Sequence, residues 1–162
     1  MSPRRTREDE ALNGSAVSAG ERSGAPALPI GFAELDAMVR NSPFHQWLGV
    51  GLKSLSADGV ELAMPWREEF VSHPDIRYTH GGILATLIDL AADYAIAARL
   101  GRGVPTIDLR IDFHKTAMPG PLVARAAVIK LGGTLATAEA RVFDERGALL
   151  ASGRGVYLTM SR

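Results

Sequence analysis

The chain has 162 residues, 46% of them hydrophobic, which suits a single domain with a buried core. Lys plus Arg and Asp plus Glu each number 18, and this balance argues against a general nucleic-acid binder, which usually carries a basic excess. Without cysteine the chain has no disulfide, no thiolate metal site and no cysteine nucleophile, and it has no apolar run of the ~18 residues that a membrane span needs. We expect a cytoplasmic protein that binds neither nucleic acid nor membrane.

The N-terminal segment predicts a tail followed by a short helix. Residues 1–28 are rich in Ser, Gly, Ala, Pro and charge and show no periodicity, so we expect a disordered tail and assign residues 29–162 to one domain. Residues 31–40 place apolar side chains on one side of a helix, and the Asn-Ser-Pro sequence ending at Pro43 predicts its end. From Trp47 onward the pattern is that of an extended chain.

A β-hairpin, a polar loop and one long helix follow. Two alternating apolar stretches flank a turn at residues 57–59, and residues 67–79 form the polar loop. Residues 82–99 are apolar on nearly every side of a helix, so this helix must be buried on nearly every side. After Pro105 an alternating pattern predicts four strands, at about residues 107–114, 123–131, 134–143 and 148–159. The predicted architecture is an α+β fold in which a curved antiparallel sheet wraps around the long helix.

The long helix carries two features that its burial does not explain. Asp89 lies in the middle of its apolar sequence, where a carboxylate lowers stability unless it is paired, solvated or used in chemistry. The helix also opens on His80-Gly81-Gly82, and Asp89 follows nine residues after the His. Together these residues form a candidate site.

With this motif the chain resembles the hotdog-fold proteins, and more closely the PaaI-like acyl-CoA thioesterases of the phenylacetate-pathway type. The resemblance covers about residues 44–160 and is supported by three further segments: Thr106-Ile107-Asp108-Leu109, residues 113–119 and Ala151-Ser152-Gly153. It implies the hotdog fold and the hydrolysis of an acyl- or aryl-CoA thioester. It implies no cofactor beyond the coenzyme A of the substrate, and the spacing of the His residues suggests no metal site.

The physical chemistry of the motif agrees with this activity. Gly81 and Gly82 lack side chains, so the first N–H groups of the helix, which have no partner within it, can approach a ligand closely. The helix dipole favours the negative charge that a thioester carbonyl develops during attack. Asp89 lies about two turns after Gly82, so we expect the two to face one cleft. Its carboxylate can attack the carbonyl or deprotonate an attacking water, and both routes stay open.

The resemblance, carried over residue by residue, implies roles for four residues. Asp89 is the nucleophile or general base, the Gly81 N–H polarises the carbonyl, and His80 shapes the loop. Thr106 matches a hydroxyl position that, in similar enzymes, reaches the site from the neighbouring subunit and helps to hold the water. We therefore expect a homo-oligomer, a dimer or a tetramer, in which paired sheets would also protect their edges.

The loop ahead of the motif departs from the family pattern. Similar enzymes often have Asn or Gln six residues before the His, where this chain has Pro74. We expect His73 or Asp75 to take over this role in substrate binding, together with Gly82. Lys115 is a candidate for contacting the phosphates of coenzyme A.

Other interpretations stay open on the sequence alone. His80 could serve only as a cap and Asp89 only as a buried acid bonded to backbone or water, while Asp93 is expected to be solvated or hydrogen-bonded rather than catalytic. The alternative function is a non-catalytic acyl-CoA binding module. A hydratase is disfavoured, because such enzymes pair the helix acid with a nearby His and residues 82–100 contain none.

Overall fold

The computed structural model describes residues 27–160, so the predicted tail lies outside the described residues except for Ala27 and Leu28. Within this range the helical elements are α1 (Phe32–Asn41), α2 (Pro43–Leu48), one 3-10 turn (Glu68–Phe70) and α3 (Gly81–Leu100). The strands are β1 (Gly51–Ser56), β2 (Gly59–Met64), β3 (Thr106–Phe113), β4 (Leu122–Leu131), β5 (Leu135–Asp144) and β6 (Leu149–Leu158). None of these helices is long and apolar enough to cross a bilayer.

The strands form one sheet that is wrapped around α3. Their order is β1-β2-β4-β5-β6-β3, and every neighbouring pair is antiparallel. α3 packs against β2, β3, β4, β5 and β6, and ten of its side chains between Leu84 and Ala98 are buried. α1 packs against β1 and α3. The predicted α+β hotdog architecture, with one long central helix and a short N-terminal helix, is confirmed.

One helix, α2, is not in the sequence-based prediction. Pro43 was expected to end the preceding helix, but it stands in the first turn of a new one, where its missing N–H is not needed and its fixed φ suits the helix. Gly49 ends α2 in the left-handed conformation, with φ 73°. The expectation of an extended chain from Trp47 is therefore wrong for Trp47 and Leu48, which belong to α2.

β3 is an edge strand with a bulge near its start. Its register with β6 steps from Thr106 opposite Tyr157 to Asp108 opposite Val156, so Ile107 is an extra residue on β3. Simple alternation would put Thr106 on the same face as Asp108. The bulge reverses this, and Thr106 instead reaches α3 at Asp89.

Candidate active site

The centre of the site is the half-buried carboxylate of Asp89, which two hydroxyl groups bind from the sheet. Thr106 Oγ1 donates to Asp89 Oδ1 at 2.9 Å, and the phenol of Tyr157 donates to the same oxygen at 3.1 Å. Asp89 Oδ2 accepts no hydrogen bond from any residue between 27 and 160. The carboxylate is thus held through one oxygen, while the other is available to a ligand.

The two hydroxyls converge because the strands bring them opposite each other. Thr106 on β3 and Tyr157 on β6 are direct cross-strand partners, and such partners project from the same face of a sheet. The bulge at Ile107 turns Thr106 toward α3, so both side chains meet Asp89. The contact lies within one chain. The expectation that Thr106 comes to Asp89 from a neighbouring subunit is therefore wrong.

Tyr157 is a site residue that the sequence-based prediction missed. Its side chain has no solvent exposure, and its phenol also lies 3.3 Å from the main-chain oxygen of Asp89. The ring lies over Gly155, where an added Cβ would stand 2.5 Å from it, so only glycine leaves room for this ring. A signal was present: Gly153, Gly155 and Tyr157 recur at the two-residue period of one strand face, which predicts a large ring over small neighbours.

The environment of Tyr157 keeps its phenol protonated. Burial raises the pKa of Tyr157 far above its ordinary value, and the negative charge of Asp89 raises it further. A protonated phenol can only donate to the Asp89 carboxylate, which accepts. Tyr157 is therefore a permanent donor at Asp89 over the physiological pH range.

A second acid, Asp93, follows one helical turn after Asp89. Its Oδ1 accepts a hydrogen bond from the N–H of Val104 at 3.2 Å, which ties α3 to the loop leading into β3. Burial raises the pKa of Asp93 to about 6; the Val104 N–H opposes this rise and the charge of Asp89 adds to it. Asp93 is hydrogen-bonded to backbone, as expected of a structural residue.

The start of α3 shows which of the motif's N–H groups is free. His80 is the N-cap of α3, and its Nδ1 accepts the Gly82 N–H at 2.8 Å, so that N–H is already used. The Gly81 N–H has no acceptor among the described residues. An added Cβ at Gly81 would meet the ring of Phe113 at 3.3 Å, and this ring is 58% exposed. The Gly81 N–H is thus a free donor beside an exposed aromatic ring.

Gly81 and Asp89 of one chain are too far apart along α3 to act on one carbonyl. α3 is continuous between them, and eight residues of helix separate their Cα atoms by about 12 Å. The first N–H groups of a helix also point out of its N-terminal end, away from the residues that follow. One thioester carbonyl cannot accept from this N–H while its carbon contacts Asp89 in the same chain. The expectation that Gly82 and Asp89 face one cleft stays a prediction.

The remaining predicted residues lie away from the Asp89 carboxylate. The His73 ring stacks on Tyr78, and its Nδ1 lies 3.4 Å from the Ile76 N–H. Asp75 and Lys115 are exposed. Within residues 27–160 no hydrogen bond or ion pair joins any of these to Asp89, and no three side chains are grouped as a metal would require.

Comparisons with known proteins identify the family. A family model described as the thioesterase superfamily matches residues 77–151, which include the His80-Gly81-Gly82 motif, Asp89 and Thr106. A solved protein of the thioesterase superfamily is 49% identical to this chain, with a TM-score of 0.77 over 78% of this chain and 96% of that one. This chain belongs to the thioesterase superfamily.

Other members of the superfamily are more distant. The medium/long-chain acyl-CoA thioesterase YigI of Escherichia coli K12 is 24% identical over 139 residues, which cover 76% of this chain and 89% of that protein. A phenylacetic acid degradation-related protein of Ralstonia eutropha has the same fold, with a TM-score of 0.68 at 21% identity over 77% of this chain and 98% of that one. The prediction of a hotdog-fold thioesterase is confirmed at the level of the superfamily, and the protein is a thioester hydrolase.

Proposed function

We propose that the protein is an acyl-CoA thioesterase in which Asp89 is the nucleophile or the general base. The observation that carries this proposal is the asymmetry of the Asp89 carboxylate: Thr106 and Tyr157 hold Oδ1, while no described residue binds Oδ2. A half-buried carboxylate that the protein holds through one oxygen keeps the other oxygen available to substrate or water. Kinship with an acyl-CoA thioesterase supports coenzyme A as the thiol part of the substrate.

Two routes of hydrolysis are open to this carboxylate. As general base, Asp89 takes a proton from water, the water oxygen bonds to the thioester carbon, the C–S bond breaks, and the thiolate of coenzyme A recovers the proton. As nucleophile, Asp89 bonds to the thioester carbon and expels the thiolate, and water then hydrolyses the anhydride. Both routes place negative charge on the carbonyl oxygen, which an N–H donor stabilises.

We further propose that the donor is the Gly81 N–H of a second copy. The Asp89 of one chain and its own Gly81 are about 12 Å apart along α3, too far to share one carbonyl. In a twofold dimer each copy can supply its Gly81 to the other's Asp89 and Thr106. Such a homodimer, or a tetramer built from it, keeps His73, Asp75, Gly82 and Lys115 as candidate contacts for the remainder of the substrate.

The test of this function compares two matched substitutions on one helix. A panel of medium-chain, long-chain and aryl-CoA esters is assayed for free thiol with the parent, Asp89→Asn and Asp93→Asn. Asp89→Asn keeps the shape of the side chain but removes its basicity and nucleophilicity, so turnover should fall by roughly 10²-fold to 10⁴-fold. Asp93 lies one turn away and accepts a hydrogen bond from the backbone, so Asp93→Asn should change turnover far less.

Two outcomes would contradict the proposal. If a folded Asp89→Asn protein hydrolyses the best ester at the parent rate, Asp89 is structural. If the parent releases no thiol from any ester but binds one tightly, the protein is the non-catalytic acyl-CoA binding module instead.

A further inference from the structure

We infer that Tyr157 is a positioning residue: with Thr106 it holds Asp89 Oδ1, so that Oδ2 is the oxygen that attacks the thioester or takes the proton from water. The inference rests on the proposed function and adds to it the reacting atom and the residue that selects it. Tyr157 lies beyond residues 77–151, which the family model matches.

The geometry separates the two carboxylate oxygens. Oδ1 accepts from Thr106 at 2.9 Å and from Tyr157 at 3.1 Å, and two donors occupy the lone pairs that a carboxylate oxygen presents in its plane. An oxygen engaged in this way is a weaker base and nucleophile than one without donors, because the donors stabilise its negative charge. Oδ2 therefore carries the reactivity.

The surroundings of Tyr157 make it a fixed donor rather than a mobile one. Its side chain is fully buried, and the phenol is within reach of both the carboxylate and the main-chain oxygen of Asp89, at 3.1 and 3.3 Å. Gly155 and Gly153 leave space for the ring and for Ile88 of α3, so sheet and helix meet closely here. Because the Tyr157 ring is tightly packed, its phenol fixes the orientation of the Asp89 carboxyl group.

The charged surroundings of Asp89 make a pH profile informative. Among the described residues, the titratable groups that face Asp89 are Tyr157 from β6 and Asp93 from α3 itself, while β3 supplies the uncharged hydroxyl of Thr106. Removing the Tyr157 hydroxyl takes a donor from the charged carboxylate and leaves Asp93 unchanged. The acidic limb of the rate profile should therefore move toward higher pH, which a loss of packing alone would not cause.

The experiment compares Tyr157→Phe with Tyr94→Phe. Tyr94 is also buried, but its hydroxyl donates to the main-chain oxygen of Met38 at 3.2 Å and makes no hydrogen bond with Asp89, so it controls for the loss of a buried hydroxyl. For Tyr157→Phe, kcat should fall by about 10-fold to 100-fold with KM nearly unchanged, the scale of one lost hydrogen bond to a charged group. The acidic limb should shift upward in Tyr157→Phe only.

A double variant tests whether Tyr157 acts through Asp89. In an Asp89→Asn background the additional change Tyr157→Phe should cost little further turnover, because the carboxylate it positions is gone. Equal and independent losses in both backgrounds would overturn the inference, as would an unshifted pH profile in a folded Tyr157→Phe protein. A parent that releases no thiol, or an Asp89→Asn protein of full activity, would instead contradict the proposed function.

A spectroscopic measurement covers the case in which Tyr157→Phe does not fold. The chain has three tyrosines, so 3-fluorotyrosine in a Tyr78→Phe, Tyr94→Phe chain labels Tyr157 alone. The fluorine resonance should move when Asp89→Asn removes the charged acceptor of the Tyr157 phenol, and Asp58→Asn in the exposed β1–β2 turn should leave it in place. A resonance at the same position with either residue at position 89 would overturn the inference.

Discussion

At the scale of single residues, Asp93 is the acid whose ionisation the fold opposes. Burial raises its pKa from 3.8 to about 6, the Val104 N–H holds the rise back, and the charge of Asp89 adds to it. Between these two values the folded chain holds a proton that the unfolded chain has lost. The contribution of this group to stability is therefore full below about pH 4 and is lost as pH rises through about 6.

Asp93→Asn should remove this pH-dependent loss of stability. The Asn side-chain oxygen can still accept from the Val104 N–H but cannot ionise, so the variant should be more stable than the parent at pH 8 by about 1–3 kcal/mol. Urea unfolding at pH 5 and pH 8 measures this, with Asp58→Asn in the exposed β1–β2 turn as a control. If the free energy of unfolding depends on pH in the same way in the parent and in Asp93→Asn, burial does not disfavour the ionised form of Asp93.

The resemblance predicted that Thr106 meets the Asp89 of another copy, and it could not reveal what binds the two residues within one chain. An acid in an apolar helix is visible in a sequence, and so is a motif spacing. The hydroxyl of Tyr157 becomes a site group only through the pairing of β6 with β3, which is a long-range contact. Likewise, the use of the Gly82 N–H by His80 depends on a side-chain rotamer that no spacing specifies.

At the scale of elements, periodicity predicted α3 and all six strands, because apolar side chains recur densely along α3 and at the two-residue period along the strands. It failed at α2, where Pro43 was interpreted as an end and is a beginning. Strict alternation would also direct Thr106 away from α3. A single bulged residue, Ile107, reverses the facing of a strand end, and bulges leave no reliable mark in a sequence.

The close approach of α3 to β6 requires a glycine at position 153. An added Cβ there would stand 2.7 Å from the main-chain oxygen of Arg110 and 2.7 Å from Cγ2 of Ile88, so β6 or α3 must move. Gly153→Ala should lower the free energy of unfolding by about 1–3 kcal/mol. Gly133→Ala, where an added Cβ meets nothing within 4 Å, is the matched control in thermal unfolding. Equal stability of the two variants would contradict this packing.

At the scale of the whole molecule, one chain supplies the parts of a site without bringing them together. One part of the site consists of Asp89, Thr106 and Tyr157. The other part is the free N–H of Gly81, which lies at the start of α3. The edge position of β3, with Ile107 and Phe113 more than half exposed, is the place where a second copy can join. The proposed activity therefore requires an assembly.

Mixing two inactive variants tests this account most directly. Gly81→Pro removes the N–H at the first position of α3, which tolerates Pro, and the ψ of 135° at His80 suits a following Pro. Gly81→Ala keeps the N–H and is the control. Asp89→Asn and Gly81→Pro should each be nearly inactive on acyl-CoA. Equal amounts of the two variants, dissociated and reassembled at random, should recover about a quarter of the parent's thiol release. Half of the dimers are then mixed, and each mixed dimer has one complete site where the parent dimer has both. If mixed dimers form, as shown by two affinity tags, and release no thiol above either variant alone, Asp89 and Gly81 do not serve one site across two copies.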